Sequence, residues 1–207
     1  HVVAVVAQIL KQNESFPPHL LKAFLLGQTI DGSVTSNSGG SGIDHDIAWG
    51  RLDAYRSVFK LSDEYLDSWD VDVVGEPGSG VDPIVSYIVP VPVNSQQLVA
   101  TLVWSDLAGD ASGDQSKTLF NDLDLRLQYP NGSLLSFTDS DDSLNNVEKY
   151  VVSNPVSGNW TVFVNVVDLN GTGSTQEYAV KFNVIRRTRT PDMTLFASLL
   201  NGTIYQG

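Results

Sequence analysis

The chain has 207 residues, 42% of them hydrophobic, and its 24 acidic and 12 basic side chains give a formal net charge of −12. This length allows one large domain, or a medium domain with part of another, and the hydrophobic content suffices for a core. The acidity argues against nucleic acid and anionic membrane surfaces as partners, and the absence of cysteine excludes disulfides and thiol chemistry.

The charge is unevenly distributed along the chain. Residues 61–170 contain 17 acidic and 3 basic side chains, whereas residues 1–60 contain 5 of each. A change of this kind marks a difference between parts of a chain. It predicts a boundary near residue 60, with one part over residues 1–61 and another over residues 62–186. The last residues, 187–207, show no periodicity and are predicted to be a tail.

Residues 1–10 are apolar almost all the way round a helix. They are too few to span a bilayer, and no basic segment precedes them as in a signal peptide. A helix of this kind is expected to be buried in a large interior. The next 60 residues offer only two more short helices, so we expect the chain to start in the middle of a domain.

Two further helices are predicted before residue 61. The first follows Pro17-Pro18 and ends near Gly27, positions that suit a helix start and a C-cap. A Gly- and Ser-rich loop, residues 32–42, separates it from the second, which begins after Trp49-Gly50. The apolar faces are Leu20, Leu21, Phe24 and Leu25 in the first, and Leu52, Tyr55, Val58 and Phe59 in the second.

This order of segments resembles the C-terminal end of the catalytic domain of subtilisin-like serine proteases. His1-Val2-Val3-Ala4 is similar to the end of that family's Gly-Thr-Ser-Met-Ala-Thr-Pro-His-Val-Ala-Gly segment, although the family usually has Gly where this chain has Ala4. Gly50-Arg51-Leu52-Asp53-Ala54-Tyr55 is similar to a later segment. The resemblance implies that the catalytic Ser lies just upstream of His1, that the catalytic Asp and His lie further upstream, and that this chain holds no catalytic residue.

From residue 61 onward the sequence is typical of strands and turns. Short runs rich in β-branched and aromatic residues alternate with clusters of Gly, Pro, Asn and Asp. The predicted strands are Ile84 to Val91, Leu98 to Trp104, Asp122 to Tyr129, Val147 to Val152, Trp160 to Val167 and Gln176 to Ile185. This spacing predicts a mainly β chain, an antiparallel sandwich or jelly roll. The resemblance implies a jelly-roll β-sandwich preceded by helices that are the C-terminal end of an α/β domain.

The strand from Asp122 to Tyr129 has the clearest alternation. Its leucines and Tyr129 are expected in the core, and Asp122, Asp124, Arg126 and Gln128 on a polar face. Pro130-Asn131-Gly132 supplies a tight turn.

The resemblance continues through this part of the chain. Four segments look like the β-barrel domain appended to one group of bacterial and archaeal subtilisin-like proteases, which is similar to the P-domain of proprotein convertases. They are Leu98 to Asp106, Asn121 to Leu125, Asn145 to Glu148 and Ser157 to Val162. The resemblance covers roughly residues 1–185 and implies a stabilising β-domain that can carry calcium.

A calcium site is the leading metal hypothesis. Carboxylates and amides are concentrated between residues 139 and 146, and Ca²⁺ takes six to eight oxygen ligands from flexible loops. The proposed ligands are Asp139, Asp141, Asp142 and Asn146. A solvated acidic turn is the alternative. Weaker candidates are the acidic loop with Asp106, Asp110 and Asp114 and the segment Asp44-His45-Asp46.

Five N-glycosylation sequons suggest a secreted glycoprotein, with chance in a Ser- and Thr-rich chain as the alternative. They begin at Asn13, Asn131, Asn159, Asn170 and Asn201. The expected function is the C-terminal segment of a secreted subtilisin-like endopeptidase, with the upstream catalytic part as its partner, proteins or peptides as substrates, and no activity alone. The alternative is a non-catalytic jelly-roll module that binds glycans or a protein.

Overall fold

The computed structural model describes residues 1–27, 29, 49–54, 57, 65–107, 119–135, 143–170 and 173–186. Two helices precede the strands: α1 (Val2–Leu10) and α2 (Pro18–Gly27). The strands are β1 (Tyr65–Gly75), β2 (Ile84–Val91), β3 (Ser95–Trp104), β4 (Asp122–Gln128), β5 (Val147–Ser153), β6 (Gly158–Asp168) and β7 (Thr175–Arg186). The predicted mainly β fold is confirmed.

The strands form two antiparallel sheets that pack as a sandwich. One sheet has the order β1-β7-β3-β5 and the other β2-β6-β4. Consecutive strands alternate between the two sheets, which is the connectivity of a jelly roll. The core between the sheets comes from alternate residues of each strand, among them Leu98, Leu102, Trp104, Leu123, Leu125, Leu127, Trp160, Val162, Tyr178 and Val180.

The strand β1 was not predicted from the sequence. The strand β1 lies at the edge of its sheet, and most of its side chains are exposed or half-exposed. It can therefore carry Asp67, Asp70 and Asp72, which interrupt the alternation of apolar and polar residues that would have predicted a strand. It pairs with β7 along its whole length. Pairing with a neighbour therefore defines this strand more than its own hydrophobic pattern does.

The polar face of β4 differs from the expected exposed one. Asp122 and Asp124 are only 4% and 9% exposed, while Arg126 beyond them is exposed. The first half of β4 lies against β5, whose Glu148 Oε2 accepts a hydrogen bond from the Leu125 N–H at 3.5 Å. Burial on both faces at this end of the strand overrides the simple alternation.

The two helices cover the outer face of the four-stranded sheet. Side chains of α1 and α2 form a second apolar cluster with one residue from each of three strands: Val103, Val147 and Ala179. The helix α2 ends at Gly27, as predicted, and the reason for glycine is close approach: a Cβ there would lie 3.2 Å from Asn183 Oδ1. The helices and the sandwich therefore share one packed interface.

The predicted third helix is described only in part. Ala54 and Ser57 are helical, and the Ser57 N–H donates to the Asp53 carbonyl at 3.0 Å. The loop of residues 32–42 and the tail of residues 187–207 lie outside the described residues, and the boundary near residue 61 stays a prediction.

Candidate functional site

Of the four predicted calcium ligands, only Asn146 lies among the described residues. Asp139, Asp141 and Asp142 lie outside the described residues, as do Asp110, Asp114 and the segment 44–46. Within the described part of the chain, no cluster of three or more His, Asp or Glu side chains is arranged to hold a metal ion. The calcium site stays a prediction.

The remaining predicted ligand, Asn146, joins α2 to the end of β3. Its Oδ1 accepts a hydrogen bond from Lys22 Nζ at 2.9 Å, and its Nδ2 donates to the Trp104 carbonyl at 2.7 Å. Burial lowers the pKa of Lys22. Because Oδ1 faces an ammonium group here, Asn146 would have to exchange Lys22 for a cation before it could serve as a ligand.

Asp106, a weaker metal candidate, has a backbone partner for each carboxylate oxygen. Oδ2 accepts from the Phe120 N–H at 2.7 Å and Oδ1 from the Asn121 N–H at 2.9 Å. Asn121 in turn donates to Gln176 Oε1 at 2.7 Å. Charged acceptors make strong hydrogen bonds with backbone amides, so Asp106 fixes the entry into β4.

His19 is buried at the start of α2 and links this helix to two strands. Its Nδ1 lies 3.4 Å from Ser105 Oγ, just after β3, and its Nε2 lies 3.4 Å from Glu177 Oε1 in β7. Burial lowers the pKa of His19, and the neighbouring Glu177 carboxylate opposes this by raising it. The two contacts join the start of α2 to the residue after β3 and to β7.

Lys149 connects β5 to the end of α2. Its Nζ donates to the Leu26 carbonyl at 2.8 Å and to Thr29 Oγ1 at 2.7 Å. The ammonium group thus lies where a helix leaves carbonyls unsatisfied and its dipole is negative. Burial lowers the pKa of Lys149 to about 8.

A second buried lysine occupies the same row of the sheet. Lys181 of β7 is paired across β3 with Lys149 through Thr101. Its Nζ forms an ion pair with Asp67 and lies 4.2 Å from the centre of the Phe24 ring. Asn183 donates to the same Asp67 oxygen at 2.8 Å. The two lysines fix α2 to the sheet at two points.

These residues were not predicted as functional. Lys149 and Lys181 stand in strands on the face opposite the sandwich core, which sequence alternation alone assigns to solvent. The sequence does contain one signal for them. The apolar side of α2 has to pack against another element, and the outer face of a sheet, where the two lysines stand, is such a surface.

The helix α1 has an apolar side that points away from this interface. Val5 and Ile9 are buried against the sheet side, whereas Val2 and Val3 are 51% and 81% exposed, and Ala7 is exposed as well. The apolar helix α1 is thus buried on one side only, and the larger interior that its sequence calls for stays a prediction.

Four of the five sequon asparagines are described, and all four are exposed: Asn13, Asn131, Asn159 and Asn170. Asn201 lies outside the described residues. Exposure is what a glycan requires of its acceptor, and the modification itself stays a prediction.

No protein-family model and no curated protein matches the chain. Solved structures are similar to the chain only weakly, with low sequence identity and low TM-scores. The lysozyme inhibitor PliG of Aeromonas hydrophila is 10% identical with a TM-score of 0.33, covering 61% of this chain and 92% of its own. The Yersinia pseudotuberculosis-derived mitogen is 13% identical with a TM-score of 0.34, covering 61% and 92%. The propeptide form of Bacillus licheniformis lipase BlEst2 is 10% identical with a TM-score of 0.35, covering 66% and 30%.

Among the described residues, the helices are too short to qualify as membrane spans.

Proposed function

We propose that this chain is the C-terminal segment of a secreted subtilisin-like serine endopeptidase, in which it packs behind the upstream nucleophile and supplies a stabilising β-domain. The order of its motifs from His1 to Val162 supports this, because the set is more specific than any single motif. The one structural observation that carries the proposal is the exposed apolar side of α1, with Val2 and Val3 at its start. Apolar surface of this kind marks an interaction site.

The contacts between the helices and the sandwich indicate how the β-domain would act. In the whole enzyme, α1 would follow the nucleophile directly, and α2 would hold α1 against the sheet. Four side chains connect α2 to the four-stranded sheet: His19, Lys22, Lys149 and, through the Phe24 ring, Lys181. The β-domain would therefore hold the segment behind the nucleophile in place, and the chemistry would be acyl transfer by the upstream serine.

Serine-directed labelling tests the proposal. A fluorophosphonate reagent should modify the whole parent protein at a serine upstream of His1, and no serine within residues 1–207. The isolated chain should neither react with the reagent nor cleave a fluorogenic peptide. Labelling of a serine within this chain, with matching turnover, would overturn the assignment.

The second candidate is a binding module for glycans or a protein partner. The observation that favours it is the outer face of the β2-β6-β4 sheet, where Ile84 and Ile88 are 56% and 62% exposed. Binding of soluble oligosaccharides to the isolated chain, lost on Ile88→Ser, would support this candidate.

A further inference from the structure

The outer face of the three-stranded sheet combines exposed apolar side chains with a glycosylation sequon. In β2 the residues on this face, Ile84, Ser86, Ile88 and Pro90, are all exposed. The neighbouring strand β6 places Asn159 opposite Pro90 and Thr161 opposite Ile88. Asn159 and Thr161 are the first and third residues of one sequon, so the sequon lies within this face.

The register brings the acceptor asparagine within reach of the apolar side chains. Residues directly opposite in an antiparallel pair have Cβ atoms about 5 Å apart, and diagonal neighbours about 7–8 Å. Asn159 is thus directly opposite Pro90 and diagonal to Ile88. A sugar on Asn159 Nδ2 starts beside both side chains.

The side chain of Asn159 is presented for modification. It is exposed, while the next residue, Trp160, is fully buried in the core and donates from its Nε1 to the Val156 carbonyl at 2.9 Å. The buried Trp160 fixes the strand, so the outward direction of Asn159 is fixed as well. By contrast, Asn13 and Asn131 lie in turns, where their Oδ1 atoms accept from the Ser15 and Ser133 N–H groups.

We propose that Asn159 carries an N-linked glycan whose first sugars lie on Ile88 and Pro90 and cover this part of the sheet. Pyranose rings have an apolar face formed by C–H groups, and removing apolar surface from water is favourable. The glycan would then act as a built-in cover of Ile88 and Pro90, which are otherwise exposed apolar side chains. The proposal rests on the secretory route included in the proposed function, and on nothing in its catalytic part.

The test is expression of this chain through the secretory pathway of a glycosylating host. Peptide mass spectrometry after enzymatic release in ¹⁸O-water should show a glycan on Asn159. Asn159→Gln should lower Tm by about 2–4 °C, the shift that corresponds to a modest loss of contacts in a chain of this size. Ser15→Ala, which removes the sequon at Asn13 and keeps its asparagine, is the control and should leave Tm unchanged.

Two comparisons distinguish a direct contact between the glycan and Ile88 from a general stabilising effect of glycosylation. Trimming to a single N-acetylglucosamine should retain most of the stabilisation, and complete release should lose it. In the background Ile88→Ser, Asn159→Gln should have less effect on Tm, because the contact is already lost. An unoccupied Asn159, or equal effects of Asn159→Gln with and without Ile88, would overturn the proposal. Glycan occupancy is read on the isolated chain, so failure of the protease assignment does not change this result.

Discussion

At the scale of single residues, the buried charges of the helix–sheet interface determine how the protein responds to pH. Lys149 and Lys181 are 6% and 0% exposed, and His19 is 5% exposed. Each has a partner that relieves part of the cost of burial: backbone and hydroxyl oxygens for Lys149, Asp67 for Lys181, and Glu177 for His19. Burial shifts the pKa values of Lys149 and His19 downward, but the two shifts act in different pH ranges.

Lys149 should make the protein more stable as the solution becomes alkaline. Its pKa is about 8 in the folded protein, against about 10.4 in the unfolded chain. Between these values the unfolded chain binds more protons, so the free energy of unfolding rises with pH, by about 3 kcal/mol at most. Urea unfolding at several alkaline pH values checks this. Lys149→Met should remove the rise, and an equal slope in both proteins would contradict the assignment.

His19 should weaken the protein in acid. Its pKa is lowered by burial, so on acidification the unfolded chain takes up its proton first, from about pH 6.5 downward. Stability is fully present above that range and falls as the pH drops through it. Glu177→Gln removes the opposing carboxylate, so thermal unfolding of this variant should show a larger loss at acid pH than the wild type. His19→Gln should show a smaller loss. A steeper acid loss in His19→Gln would contradict this account.

At this scale the sequence predicted the core and missed the interface. The leucines of β4 are buried as their alternation predicts. Lys149 and Lys181 could not be assigned, because a lysine opposite the core face is ordinarily solvated and only the packing of α2 buries these two. Alternation likewise predicts Asp122 and Asp124 on the polar face of β4. In the structure both are buried, at the end of β4 that lies against β5.

At the scale of elements, the turn after β4 and the start of β6 meet at one end of the sandwich. Gly158 has a φ of +132°, and a Cβ there would lie 2.8 Å from Pro130 Cβ. The chain thus needs glycine for both its backbone conformation and its close approach. Gly132, within the turn, has a φ of +86° but open space around its missing Cβ.

These two glycines form a matched pair for mutation. Gly158→Ala should lower the free energy of unfolding by about 2–4 kcal/mol, from backbone strain and the contact with Pro130. Gly132→Ala should cost only the backbone conformation, about 1 kcal/mol. Chemical denaturation of both variants measures the difference. Equal losses would contradict the close approach between Gly158 and Pro130.

The elements themselves were largely predictable. All six predicted strands are present, because their alternation and turn residues agree with the fold. The strand β1 was missed because an edge strand that pairs with one neighbour can keep polar residues on both faces. The helix α2 and its end at Gly27 follow from its prolines, apolar face and glycine.

At the scale of the whole molecule, the exposed apolar side of α1 bears on the proposed function. The sandwich buries Val5 and Ile9 but leaves Val3 81% exposed. In the proposed protease, the catalytic domain would precede His1 and would cover this side of α1. The same substitution should therefore have different effects in the isolated chain and in the whole parent protein.

Val3→Asp tests this difference. In the isolated chain it should change the free energy of unfolding by less than about 0.5 kcal/mol, as expected for an exposed site. In the parent protein it would bury an unpaired charge, which costs several kcal/mol, and the yield of active enzyme should fall. Gln12→Asp, the same charge change in the exposed connection after α1, is the control and should have little effect in either protein. Similar tolerance of Val3→Asp in both would argue against a covered α1.

The most direct test of the protease assignment is an intact-mass measurement of the protein from its natural source, with sequencing of the peptide that precedes or co-purifies with His1. We predict additional mass from a catalytic domain and a peptide that reads Gly-Thr-Ser-Met-Ala-Thr-Pro, or a close variant with the same serine, immediately before His1. A mass equal to that of these 207 residues, with an encoded reading frame that has no such segment upstream, would contradict the assignment.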